Sequence, residues 1–183
     1  MLYTRKGDTG TTKTFGCDQR ISKSSAVAEA LGALDEINSF LGICKVRAHK
    51  SKVESGKLKV EEIVNQVQQN LFIVQAELAG AGKTITKEKV EQSEEIIDAI
   101  EKELPPIKTF FVSGGTELAA TFDFARTLAR RAERRVVEVH KKGDRKIGEH
   151  TLSYLNRLSS LLYALARFSN KDAGVKEEPP TYD

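Results

Sequence analysis

Arg126, Arg130 and Glu133 follow one another at spacings of four and three in the segment RTLARRAERRVV, 126–137. On a helix that spacing puts two guanidinium groups and a carboxylate on one face. Arginine forks meet phosphate oxygens two at a time, so the row suits a polyanion such as a nucleoside triphosphate. A second unusual stretch, YTRKGDTGTTKTFG at 3–16, is rich in threonine, glycine and cations and holds one acid, Asp8. It has too little apolar side chain for the core of a strand or helix. Glycines such as Gly7 and Gly10 let backbone N–H groups approach a phosphate closely, and hydroxyls such as those of Thr4 and Thr11 donate to it or hold a metal. Lys23, in QRISKSS, is a further candidate phosphate contact. Asp35 follows Leu34 on the edge of an apolar stripe, where a buried carboxylate requires a cationic or hydrogen-bonding partner. Asn156 and Arg157 stand between Leu155 and Leu158.

Each of these features has a plainer reading on its own. A row of cations is most often a solvated face, and a Gly/Thr-rich opening is as often an ordinary mobile terminus as a phosphate loop. The loop is not a Walker A motif, since no Gly-Lys-Thr falls at the required spacing and no strand precedes it. His49, His140 and His150 are scattered, with no cue to a hydrolase nucleophile. No Glu-x-x-His pair of the di-iron type occurs. Arg126–Arg135 as a nucleic-acid helix is disfavoured by a net charge of only +3 and by the interleaved Glu133 and Glu138. A helical module that binds a nucleotide without turnover is the other class the residues allow.

The elements that must carry these residues are helical. Val27, Leu31, Leu34, Asn38, Leu41 and Lys45 form a stripe, with Ala30 and Ile37 beside it, predicting a helix over about 24–47. After the polar loop 49–57, Val60 to Leu78 recur at three and four residues, predicting a second helix that ends near Gly80 and Gly82. Thr86 is a candidate cap for a third helix, stopped by Pro105 and Pro106. A fourth is predicted over 116–141 and a fifth over about 148–169, while KDAGVKEEPPTYD reads as a frayed tail. The sequence therefore predicts an all-α protein, a five-helix bundle of the up-and-down type. The expected organisation is one domain, 1–183, with a loop at 1–23, the bundle at 24–170 and a tail at 171–183.

Hydrophobic and charged contents of 39% and 30% belong to an ordinary globular chain. No run is long and apolar enough for a membrane span, and the first residues lack a secretion signal. Cys17 and Cys44 are too few for a disulfide framework or a zinc site, so a reducing cytoplasm is expected.

In order, TRKGDTGTT at 4–12, RISK at 20–23, ALDEINS at 33–39, FFVSGGTELA at 110–119, RTLARRAERRVV at 126–137 and YLNRLSSLLYALAR at 154–167 resemble the PduO-type ATP:cob(I)alamin adenosyltransferases. The resemblance implies a five-helix bundle that assembles as a homotrimer with active sites between subunits. It implies transfer of the 5′-deoxyadenosyl group of ATP to reduced cobalamin, with triphosphate leaving and Mg2+ accompanying the nucleotide. The nucleophile is the substrate's cobalt, which accounts for the missing catalytic triad. Thr4, Arg5, Gly7, Asp8, Gly10, Thr11 and Lys23 would wrap the phosphates, and Arg130 would neutralise charge on the departing triphosphate. Glu133 and Asn156 match residues at the nucleotide and magnesium site; the metal would be held mainly by the phosphates, near Glu133. Asp35 and Arg126 match a pair that bridges subunits, and Phe110 an aromatic that packs on the corrinoid. A reductase and a cobalamin-dependent enzyme are partners the resemblance leaves open. Two positions depart from the family pattern: Ser160 stands where relatives often carry aspartate, and Asp123 where many carry histidine.

Overall fold

The computed structural model describes residues 3–14, 20–51, 53–55 and 58–182; Cys17 lies outside them. Five long helices make the body: α1 (Ala26–Ser51), α2 (Val60–Ala79), α3 (Lys87–Glu101), α4 (Glu117–Lys142) and α5 (Glu149–Asp172). All five send apolar side chains into one core, including Leu34, Leu41, Leu71, Ile100, Phe122 and Leu158.

The helix ends follow local chemistry. Gly80 closes α2 in the left-handed conformation (φ 97°), its N–H donating to the Glu77 carbonyl. Thr116 caps α4 by accepting from the Ala119 N–H at 3.1 Å. Gly143 ends α4 at φ 77°. Thr86 stands at the N-cap of α3, but its side chain makes no capping hydrogen bond. α5 starts at Gly148, which has no side chain to cap with. Its first turn is completed by Glu77 of α2, which accepts from the Gly148 N–H at 2.7 Å and the Thr151 hydroxyl at 2.5 Å.

Packing order departs from chain order. The principal helix contacts are α4 with α5, α1 with α4, α1 with α2, and α3 with α5. The five helices expected from the sequence are present, and their neighbours in space are not always their neighbours in the chain. α3 docks on α5, and the 102–116 connection carries the chain to α4 on the far side of α5.

Four further expectations change. The core stripe of α1 runs through Ala30, Ile37 and Cys44, and leaves Leu31 and Lys45 half-buried. The opening segment does form strand: β1 (Thr11–Lys13) pairs antiparallel with β2 (Arg20–Ser22), with Thr12 opposite Ile21. Polar bonds take the place of an apolar core. Arg20 Nε donates to Thr11 Oγ1 and its Nη2 to the Thr11 carbonyl, both at 2.8 Å. The polar loop after α1 contains a second short ladder, β3 (Glu54–Ser55) with β4 (Leu58–Lys59). The tail is tied down rather than frayed: Glu177 is ion-paired with Arg167, and the Glu178 carbonyl accepts from the Val112 N–H at 2.8 Å.

Candidate functional site

α4 and α5 share the most extensive helix contact in the molecule, and the candidate residues on these helices lie along their seam. At one end Asn156 Nδ2 of α5 donates to Glu133 Oε1 of α4 at 3.1 Å. Asn156 is itself oriented by its neighbour: Arg157 Nη1 donates to Asn156 Oδ1 at 2.8 Å, while Arg157 Nε donates to Glu94 Oε1 of α3 at 2.7 Å. With its oxygen engaged by an arginine, the Asn156 amide can offer Glu133 only its NH2 group. Arg130 is exposed one turn along α4 from Glu133.

Further along the seam, about 10 Å from Glu133 at the helical rise, is Arg126. It borders a cleft of about 640 Å³ that also receives Phe110, Asp123, Ser160, Tyr163 and Arg167. The Arg126 guanidinium carbon sits 5.9 Å from the centre of the Tyr163 ring, and its Nε is buried with no hydrogen-bond partner. A buried donor of that kind is costly to leave unmade, so the cleft has bonding capacity in reserve. Phe110 is 79% exposed and is not part of the core.

Asp123 Oδ2 accepts from the Gly114 N–H at 2.9 Å, fixing the turn after the Phe110 segment. Burial pushes the Asp123 carboxyl above its ordinary value, against the Gly114 hydrogen bond and the Arg126 charge, which lower it; Glu177 adds to the rise. Gly114 and Gly115 both have positive φ, 126° and 97°. A Cβ on Gly115 would lie 2.4 Å from Asn170 Oδ1. That oxygen accepts from the Thr116 N–H, and Asn170 Nδ2 donates to the Gly114 carbonyl, both at 2.8 Å.

The opening loop forms a separate group. Asp8 N–H donates to the Arg5 carbonyl at 3.3 Å, Gly10 N–H to the Gly7 carbonyl at 3.2 Å, and Lys23 N–H to the Gly10 carbonyl at 2.9 Å. The Lys23 ammonium is packed against Gly7, where an added Cβ would meet Nζ at 3.3 Å. Gly7, Gly10, Thr11 and Lys23 are thus brought together, with Thr4, Arg5 and Asp8 exposed on the preceding turn. Arg5 has φ 58°, a strained value for a residue with a side chain. None of these seven residues is hydrogen-bonded to α4 or α5 among the described residues.

Asp35 is exposed, so the burial expected of it from its place beside Leu34 is corrected. The ion pairs that α1 makes with α4 are Glu36 with Arg131 and Arg47 with Glu117. No pair joins Asp35 to Arg126 within the chain.

The sequence model of the cobalamin adenosyltransferase family matches residues 2–169. The chain belongs to the cobalamin adenosyltransferase family. It is 38% identical over 179 residues to corrinoid adenosyltransferase PduO of Citrobacter freundii, covering 94% of this chain and 50% of that protein. This chain therefore spans about half the length of the PduO relatives it matches. To a corrinoid adenosyltransferase of Bacillus subtilis (strain 168) it is 37% identical, covering 95% of this chain and 89% of that one. A variant PduO-type ATP:corrinoid adenosyltransferase from Lactobacillus reuteri, complexed with cobalamin and ATP, superposes with a TM-score of 0.87 at 30% identity, covering 98% of this chain and 99% of that one.

Several residues that shape the cleft and the opening loop were not singled out in the sequence. Arg167 is one, and its signal was present: it is the sole cation in the run LLYALARFSN, 161–170. A cation in so apolar a helix face requires a partner. Arg20 is another, quoted within RISK but given no role. Glu177 and Asn170 had no signal, because their partners are distant in sequence.

Proposed function

We propose that the chain transfers the 5′-deoxyadenosyl group of ATP to the cobalt of reduced cob(I)alamin, with release of triphosphate. The observation that carries this reading is the α4–α5 seam, where a Glu133–Asn156 pair and the exposed Arg130 run into a cleft rimmed by Arg126 and the exposed Phe110. Polar groups for a phosphate tail and an apolar surface for a macrocycle are set side by side. The family membership and the cobalamin and ATP bound to the Lactobacillus reuteri protein support the same assignment.

The cobalt of the substrate attacks the 5′ carbon, the cobalt–carbon bond forms, and the carbon–oxygen bond to the triphosphate breaks with its electron pair. The protein supplies no nucleophile and performs positioning and charge stabilisation. Thr4, Arg5, Gly7, Asp8, Gly10, Thr11 and Lys23 wrap the phosphates. Arg130 meets the charge that develops on the leaving triphosphate. Magnesium fits here only as an ion carried by the nucleotide. No cluster of three metal-ligating side chains occurs among the described residues, and Glu133 offers the one carboxylate that Mg2+ bound through phosphates requires. Phe110 packs on the corrinoid and favours a cobalt without its lower axial ligand, which is easier to reduce.

A homotrimer completes the site. Ile43, Val46 and Phe124 expose apolar surface on α1 and α4, and Asp35 has no ion-pair partner among the described residues. Among the described residues, the opening loop makes no hydrogen bond to the Arg130 row of the same chain. A neighbouring subunit supplies both relations: Asp35 meets Arg126 across the interface, and the loop of one chain covers the seam of the next. A cytoplasmic setting follows from the low cysteine content, and no helix among the described residues is long and apolar enough to cross a membrane.

Chemically reduced cobalamin, ATP and magnesium are mixed with the protein and the corrinoid absorbance is followed. Adenosylcobalamin is the expected product, and its absence under these conditions overturns the assignment.

A further inference from the structure

The segment that presents Phe110 has little support of its own. Residues 104–116 contain no helix or strand, and Phe110, Val112 and Ile107 are exposed. What holds the segment in place comes from α5 and the tail. Arg167 lies in a buried stretch of α5 and is itself 4% exposed. Its Nη2 donates to the Pro105 carbonyl at 3.0 Å, at the beginning of the segment. Its guanidinium carbon stands 5.2 Å from the centre of the Phe111 ring, next to Phe110. The same guanidinium grips Glu177 through two bonds, Nε to Oε1 at 2.7 Å and Nη2 to Oε2 at 2.8 Å. One residue on, the Glu178 carbonyl accepts from the Val112 N–H at 2.8 Å, so the tail lies along the segment like an added strand. Val175 N–H donates to the Asn170 carbonyl at 2.9 Å, which turns the tail back towards the cleft.

A buried ion pair contributes little net stability over a well-packed apolar filling, because both charges lose their hydration. What it does supply is geometry: a bidentate pair fixes both partners in one plane. Arg167 connects two chain segments that no helix joins: the Phe110 loop, held at Pro105 and Phe111, and the tail.

We propose that Arg167 and Glu177 are positioning residues for corrinoid binding: their pairing straps the tail across the 105–112 segment and holds Phe110 at the mouth of the cleft. The proposal rests on the reading of that cleft as the corrinoid site. It gives a binding role to residues 175–178, which make no contact with the Glu133–Asn156 end of the seam. The strap therefore acts on one substrate and not on the other. An unstrapped segment must be ordered at the moment of binding, and that cost falls on the corrinoid alone.

The test compares the full chain with Glu177→Gln and Arg167→Lys, titrating cob(II)alamin by absorbance and ATP by calorimetry. Glu177→Gln keeps the shape of the side chain and the backbone bond at Glu178, so folding is preserved even where Arg167→Lys fails to fold. Glu177→Gln is expected to weaken cob(II)alamin binding at least about 5-fold, the cost of ordering one or two side chains, with ATP affinity unchanged. Trypsin should also cut sooner after Lys108. Unchanged cob(II)alamin affinity, or an equal loss for cob(II)alamin and ATP, overturns the strap. A wild-type chain that binds ATP and no corrinoid overturns the reading of the cleft, and the strap with it.

Discussion

Glu36 of α1 is ion-paired with Arg131 of α4, directly beside an Asp35 that has no ion-pair partner among the described residues. Adjacent residues on a helix point about 100° apart, so the pairing that joins α1 to α4 turns Asp35 away from the seam. The two carboxylates are therefore expected to behave differently. Glu36→Gln removes a half-exposed pair, and thermal denaturation should register about 0–1 kcal/mol. Asp35→Asn should leave the stability of the separated chain intact and weaken the proposed trimer, seen by sedimentation at falling concentration. Wild-type assembly and kinetics in Asp35→Asn would remove this residue from the interface.

Arg130 is exposed, with no ion pair or side-chain hydrogen bond among the described residues. Arg130→Ala should leave the melting temperature unchanged. Under the proposed function Arg130 meets the charge on the leaving triphosphate, and its loss should lower kcat by about 10²–10³. Steady-state kinetics with reduced cobalamin check this, and a kcat within a few-fold of wild type would place the charge stabilisation elsewhere.

Gly115 cannot carry a methyl group where it stands. Its φ is 97°, and an added Cβ would meet Asn170 Oδ1 at 2.4 Å, an oxygen already engaged with the Thr116 N–H. Gly115→Ala should destabilise by about 1–3 kcal/mol and release the segment before α4. Faster proteolysis after Lys108 in the variant is the expected readout; equal cleavage rates and melting temperatures would contradict the turn described here.

The Asp123 carboxyl is raised chiefly by burial, so the folded chain holds that proton more tightly than the unfolded one. The stability this contributes is present below the ordinary value of 3.8 and is lost as pH rises through the folded pKa. Asp123→Asn does not titrate. The melting temperature of the variant minus that of wild type should therefore increase from acid towards neutral pH, and a difference independent of pH would show that the group is not perturbed.

The helices were legible because their signals are local. Gly80 and Gly143 end α2 and α4 through their own backbone conformation, and Thr116 caps α4 with its own hydroxyl. The Arg126–Arg130–Glu133 row needed only the helical repeat. Where the sequence misled, the cause was distance along the chain or the use of polar bonds in place of apolar contacts. β1 has no apolar pattern because Arg20 holds it, and the tail looked frayed because its anchor, Arg167, is on another element. Asp35 sits one position from a core residue, but a turn of 100° per residue is enough to carry it from Leu34 in the interior to solvent. Which face of α1 meets α4 depends on helices that no local pattern records.

The opening of α5 at Gly148 sets an order of events. Its first turn is finished by a carboxylate 71 residues earlier in the chain, and a contact that remote forms only after a large loop has closed. α5 can lengthen from its middle at any time, yet its starting point waits for α2. During folding, amide hydrogens at the head of α5 should be among the last in the bundle to resist exchange with solvent.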